Sequence, residues 1–91
     1  MSVNIVYPID GATYPITDPY CKVKSAYFVA SFSVTCDGDH DVSWGFDGNT
    51  LGKVSFYDQF SGQFTYKLPS GKHVFQVTSD CGDAEVAFVI G

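Results

Sequence analysis

The residues best equipped for chemistry in this chain are its acids, two histidines and three cysteines. Asp37-Gly38-Asp39-His40-Asp41 sets carboxylates on alternate positions. A calcium ion collects about six to eight oxygens from carboxylates and carbonyls, which such a run could begin to supply. The segment imitates the opening of an EF-hand loop, but its sixth position is Val42 where that loop needs glycine and its twelfth is Gly48 where it needs glutamate. It is not an EF-hand. His40 and His73 are the only imidazoles, and the chain has no Gly-x-Ser-x-Gly elbow, phosphate loop or dinucleotide fingerprint. A glycosidase needs two carboxylates facing each other across a cleft, which a sandwich of 91 residues with short loops rarely provides. No catalytic residues are therefore expected. His73, following Pro69-Ser70-Gly71-Lys72, reads as a packed and hydrogen-bonded side chain at a strand start, and His40 as a solvated loop residue.

Cys21, Cys36 and Cys81 form an odd set, without a Cys-x-x-Cys pair or the combined Cys and His spacing of a zinc finger. No structural metal is expected of them. Tyr7, Tyr14, Tyr20, Tyr27, Tyr57 and Phe60 do not all fit on inward strand faces, so several should project outward. Tyr27, Tyr57 and Phe60 are the candidate binding residues. Flat rings beside polar groups stack on sugar faces and also anchor protein interfaces. An ordinary sheet surface, where tyrosine is simply favoured, is the competing reading.

The elements that must position these residues are strands. Val3, Ile5 and Tyr7 alternate up to Pro8. Residues 8 to 21 read as a proline-rich loop with a short edge strand near Ala12 to Ile16. Ala26, Phe28, Ala30, Phe32 and Val34 make the buried face of the longest strand, which a turn at Cys36 to His40 should end. Val42, Trp44 and Phe46 alternate in the next strand, before the turn dipeptide Asp47-Gly48. A strand from Leu51 to Asp58 follows, with Gly52 signalling a bulge or late start, and then a short loop at Gln59 to Gly62. Phe64, Tyr66 and Leu68 lead to the turn Pro69-Ser70-Gly71; His73, Phe75 and Val77 lead to the turn at Asp80 to Asp83; Val86, Phe88 and Ile90 end the chain. This is an all-β pattern of about seven or eight antiparallel strands spaced about ten residues apart, with no helix, as in a single-domain sandwich. Its expected core is Phe28, Phe32, Trp44, Phe64, Phe75, Val77, Val86 and Phe88.

Pro8-Ile9-Asp10-Gly11-Ala12, the Trp44 to Gly48 stretch, Gly71-Lys72-His73 and the apolar run Val86 to Ile90 together resemble bacterial immunoglobulin-like modules. Such modules are appended to cell-envelope proteins and glycoside-processing enzymes; the C-terminal domain of bifunctional penicillin-binding proteins is one of them. The resemblance spans nearly the whole chain but rests on turns and core positions, which identify a fold and leave the activity open. It implies a non-catalytic binding or spacing module, monomeric, outside the cell or in its envelope as part of a larger protein, with a protein or polysaccharide of the envelope as partner. A carbohydrate-binding domain of a wall-acting enzyme and a small secreted inhibitor are the alternatives, and a cytoplasmic chain is a further reading.

An immunoglobulin-type topology also implies which loops meet. The second and next-to-last strands run toward the same end, so Cys36 and Cys81 would lie together there, and a bridge between them is one reading; three reduced thiols is the other. Cys21 would lie at the far end. The same topology brings Asp37, Asp39 and Asp41 beside Asp80 and Asp83, where either a weak calcium site or plain turn chemistry accounts for them.

Composition narrows the partners. With a net charge of -5 and five Lys or Arg, the surface is poorly suited to a phosphate backbone, and nucleic acid is excluded. A hydrophobic content of 45% with 16% charged residues is globular, and no apolar run approaches the length of a membrane span. The start of the chain lacks a basic segment followed by an apolar one, so no signal peptide is read there.

Overall fold

A computed structural model of the protein describes residues 2–16 and 25–91. Tyr20, Cys21 and the start expected for the second strand lie outside these residues. Among those described, the chain is all-β: β1 (Ser2–Tyr7), β2 (Thr13–Tyr14), β3 (Ser25–Phe46), β4 (Asn49–Pro69), β5 (Gly71–Ser79) and β6 (Gly82–Ile90).

Asp47-Gly48 makes the hairpin that the sequence signals. Phe46 pairs with Asn49, leaving a two-residue loop with φ of 56° and 83°, the left-handed pair that a tight hairpin requires and that Asp-Gly tolerates. From that turn β3 and β4 run side by side for their full lengths, 22 and 21 residues. The expected turn at Cys36 to His40 is therefore a bulge inside a continuous strand. Cys36 pairs with Asp58 and Asp39 with Tyr57, so Asp37 and Gly38 are extra on β3. Gly38 takes φ 95° and donates its N–H to Asp58 Oδ1 at 2.9 Å, while Asp58 itself takes φ 64°. The expected loop at Gln59 to Gly62 is likewise strand. Fewer, longer strands replace the seven or eight expected because the polar residues bend the ribbon instead of ending it.

The bend folds the ribbon onto itself. Phe28 and Phe46 stand 18 positions apart on β3, yet their rings are 6.3 Å apart. One layer holds β1, the first half of β3 (25–36) and the second half of β4 (58–69); the other holds the remaining halves with β5 and β6. β2 adds to β6 in parallel. The result is a curled, sandwich-like sheet.

Two extra residues preserve the inside–outside alternation across the bulge, so even-numbered residues face inward on both halves of β3. Ala26, Phe28, Ala30, Phe32, Val34 and Cys36 are buried before it, and Val42, Trp44 and Phe46 after it. Phe32 meets Trp44 at 5.3 Å and Phe75 at 6.0 Å, and Phe28 stacks on Phe88 at 4.9 Å, joining the layers. Of the expected core, Phe64 and Val86 are only partly buried. Trp44 lies flat where a side chain on Gly52 would stand: a Cβ there would come within 2.2 Å of the indole. The bulge expected near Gly52 falls beside it, where Trp44 pairs with Gly52 but Gly45 with Thr50. Trp44 Nε1–H donates to the Tyr66 hydroxyl at 3.0 Å, satisfying the one polar group the indole brings into the core.

Candidate functional site

The bend gathers most of what could do chemistry. Cys36, last before the bulge, and Cys81, in the turn between β5 and β6, form a disulfide joining residues 45 apart. Closing such a loop stabilises by about 4 kcal/mol in the chain-entropy account. A disulfide also indicates a non-reducing environment.

His40 sits against this bridge. It occupies an inward-facing position just after the bulge, its side chain is 21% exposed, and Nε2 lies 3.2 Å from Cys36 Sγ. The sequence reading of a solvated loop residue is corrected here, because the loop is strand and an even position on it points inward. Nδ1 faces Asp80 Oδ2 at 2.9 Å and Nε2 faces the Asp37 carbonyl at 2.7 Å. Both neighbours are acceptors, so both contacts are hydrogen bonds only when each nitrogen carries a proton. The bond to the Asp80 carboxylate, then that to the Asp37 carbonyl, raise the His40 pKa above its ordinary 6.5, against a smaller desolvation effect. In return, the hydrogen bond from His40 holds the Asp80 carboxyl below its usual range.

Outward of His40 lies a shallow cleft of about 460 Å³, lined by Asp39, His40, Asp41, Ser55, Phe56, Tyr57 and Asp80. Strand register builds it: Asp39 is paired with Tyr57 and Asp41 with Ser55, whose hydroxyl donates to Asp41 Oδ1. Tyr57 is 68% exposed. Asp37, Asp39, Asp41, Asp58 and Asp80, half of the ten acids, stand at this end.

The five carboxylates considered for calcium are thus only partly brought together. Asp39, Asp41 and Asp80 line the cleft, with Asp41 bonded to Ser55 and Asp80 to His40. Asp37 offers His40 its backbone oxygen instead. Asp83 lies apart, opposite Thr78 in a recess shared with Gln76 and Glu85. Among the described residues, the metal-capable atoms that gather as a trio within 4.8 Å of one another are those of Cys36, His40 and Cys81. Sequence reasoning missed this group. The signal was present in the period of two, which sets Val34, Cys36, His40 and Val42 on one face once the strand is read through the bulge.

The candidate binding aromatics do not form a row. Tyr27, 63% exposed, lies on the outer face of the first layer with the Lys67 ammonium 5.7 Å above its ring. Tyr57 belongs to the cleft on the other layer. Phe60 turns inward and packs near Phe32, Trp44 and Phe56, with ring separations of 5.9, 6.1 and 6.4 Å.

His73 repeats the wiring of His40 at the opposite end of the second layer. Nδ1 faces Asp47 Oδ2 and Nε2 faces the Pro69 carbonyl, both at 2.7 Å, and the ring is 7% exposed. Asp47 Oδ1 also accepts the Val74 N–H, so the hairpin turn is tied to β5. Partial burial pushes the Asp47 carboxyl up, but the bonds from His73 and Val74 outweigh it and leave it below its usual range.

Among the described residues, no helix is long and apolar enough to cross a membrane. No family model matches the chain, and no curated protein matches it.

Proposed function

We propose that this chain is an immunoglobulin-like, non-catalytic binding module of a bacterial cell-envelope or secreted protein, and that it engages a protein partner along β4. The observation that carries this reading is that, among the described residues, an unpaired edge of the sheet and the acidic cleft share one strand. Among the described residues β4 pairs with β3 alone, so its segment 49–57 has no second strand beside it among them. Such an edge is a template for an added strand. Ser55 and Tyr57 of the same strand line the cleft with Asp39, Asp41 and Asp80. An extended segment added to β4 would therefore bring a lysine or arginine beside these carboxylates, and the chain's net charge of -5 favours a basic partner. The two-layer arrangement, with β2 parallel to β6 and a disulfide closing the bend, supports the immunoglobulin-like assignment and a location outside the reducing cytoplasm.

A second reading rests on Tyr57. An exposed ring beside carboxylate and hydroxyl groups suits one sugar unit of a wall polysaccharide, although the three candidate aromatics do not line up as a platform.

An NMR titration of labelled protein with extended basic peptides and, separately, with soluble peptidoglycan fragments decides between them. The protein reading expects amide shifts along 49–57 and at Asp39 and Asp41 with the peptides, weakening as salt rises. Shifts near Tyr57 with the sugars alone would transfer the site to the second reading. No response to either at millimolar ligand overturns both.

A further inference from the structure

We propose that Cys36, Cys81 and His40 form a zinc site when the disulfide is reduced, so that the bend is closed by sulfur–sulfur in one redox state and by a metal ion in the other.

The three donors, the sulfurs of Cys36 and Cys81 and a ring nitrogen of His40, already lie within 4.8 Å of one another. A tetrahedral zinc at about 2.3 Å from sulfur and about 2.0 to 2.1 Å from nitrogen fits among atoms so grouped once the sulfurs separate. Cys81 occupies the short turn between β5 and β6, so a small shift of that turn provides the separation. His40 is already oriented for the role. Its Nδ1 is held by Asp80 while Nε2 points at Cys36 Sγ from 3.2 Å. A carboxylate on the far nitrogen of a ligating imidazole fixes the ring and strengthens it as a donor. Two thiolates and an imidazole are a soft set that selects zinc over calcium or magnesium. The fourth position of the ion is left to water, as in other zinc sites with three protein ligands.

The electron and proton balance is simple. A dithiol delivers two electrons and two protons to the Cys36–Cys81 bond and leaves as its own disulfide. Zinc then displaces the two thiol protons, and the Nε2 proton that was shared with the Asp37 carbonyl, to solvent. Both states close the same 45-residue loop, so zinc replaces the lost covalent restraint.

The test uses the full chain with Cys21→Ser, which removes the third thiol, reduced by a water-soluble phosphine. Cobalt(II) is the spectroscopic probe and zinc the competitor. One cobalt per chain is expected, with thiolate-to-metal charge-transfer bands that zinc abolishes; the oxidised protein should give none. His40→Ala should weaken binding at least about 100-fold, and Asp80→Asn about tenfold. Unfolding of the reduced chain would not obscure the result, because zinc should then restore the dispersed amide spectrum of the oxidised form. Absence of the bands, affinity indifferent to His40, equal binding by oxidised protein, or a reduced chain that zinc fails to refold would each overturn the proposal.

Discussion

The two histidines of this chain make the same pair of contacts in opposite surroundings. Each sets Nδ1 against an aspartate and Nε2 against the carbonyl of a residue three or four positions earlier. His73 does so 7% exposed, its ring tilted against Phe88 at 5.7 Å, where its bonds stitch the Asp47 turn to β5. His40 does so 21% exposed beside an open cleft, and its Asp80 partner is 59% exposed where Asp47 is 43%. Wiring alone therefore does not tell glue from site. Burial does: a hydrogen bond is costly to lose where water cannot replace it, and nearly free to lose where water can. The hairpin end can rely on polar contacts made from a buried ring, whereas the wet bend needs a covalent tie.

The largest expected effect follows from that tie. Cys36→Ser with Cys81→Ser, measured by urea unfolding with a chelator present, should lower stability by about 4 kcal/mol, the loop-closure contribution of the bridge. A loss under about 1 kcal/mol would mean that the bend holds itself through its polar contacts, which erases the distinction between the two ends.

Next comes the histidine exchange itself. His73→Ala leaves the Asp47 carboxylate and the Pro69 carbonyl without their donor and opens space beside Phe88, so unfolding free energy should fall by about 2 to 3 kcal/mol. His40→Ala in the oxidised protein should cost clearly less than His73→Ala, since water can take over at Asp80 and Asp37. Equal losses at the two sites would be the sinking result. Tyr66→Phe offers an intermediate standard from between the layers. It removes the acceptor of the Trp44 N–H while keeping the ring, and should cost about 1 kcal/mol by the same measurement.

The different fates of the two ends also explain how much the sequence could reveal. The hairpin was legible because its signal is local: Asp47-Gly48 can close a two-residue loop, and the alternating Val42, Trp44 and Phe46 lead straight into it. The bend was not. Cys36 to His40 has turn composition, and nothing local distinguishes a chain reversal from a bulge that keeps pairing with β4; the partner Asp58, 20 residues beyond Gly38, decides it. Reading a turn there lost the register that places His40 inward. The Cys36–Cys81 pairing survived the error because it depends on which ends of two strands meet, and that order is the same for a turn or a folded ribbon. Phe60 was misplaced for a related reason, since a residue expected in a loop has no assigned face. Inside strand β4 its even number turns it toward Phe32 and Trp44.

The smallest expected effect is the one that isolates His40. Its pKa is raised in the folded protein, so its bonds contribute stability fully below the ordinary pH of about 6.5 and lose it as pH rises through the folded value. Asp80 and Asp47 are lowered, so their contributions are complete above about 3.9 and fade as pH falls through their folded values. The bend therefore loosens on both the alkaline and the acid side. At the hairpin end the lowered Asp47 carboxyl adds a weakening on the acid side. Following the His40 ring carbon signal by NMR should give a midpoint above 6.5, returning toward 6.5 in Asp80→Asn, while amides at 36–41 and 80–82 broaden above the midpoint. A midpoint unmoved by Asp80→Asn would show that the carboxylate does not hold the ring, and the far-nitrogen support proposed for His40 as a ligand would fall with it.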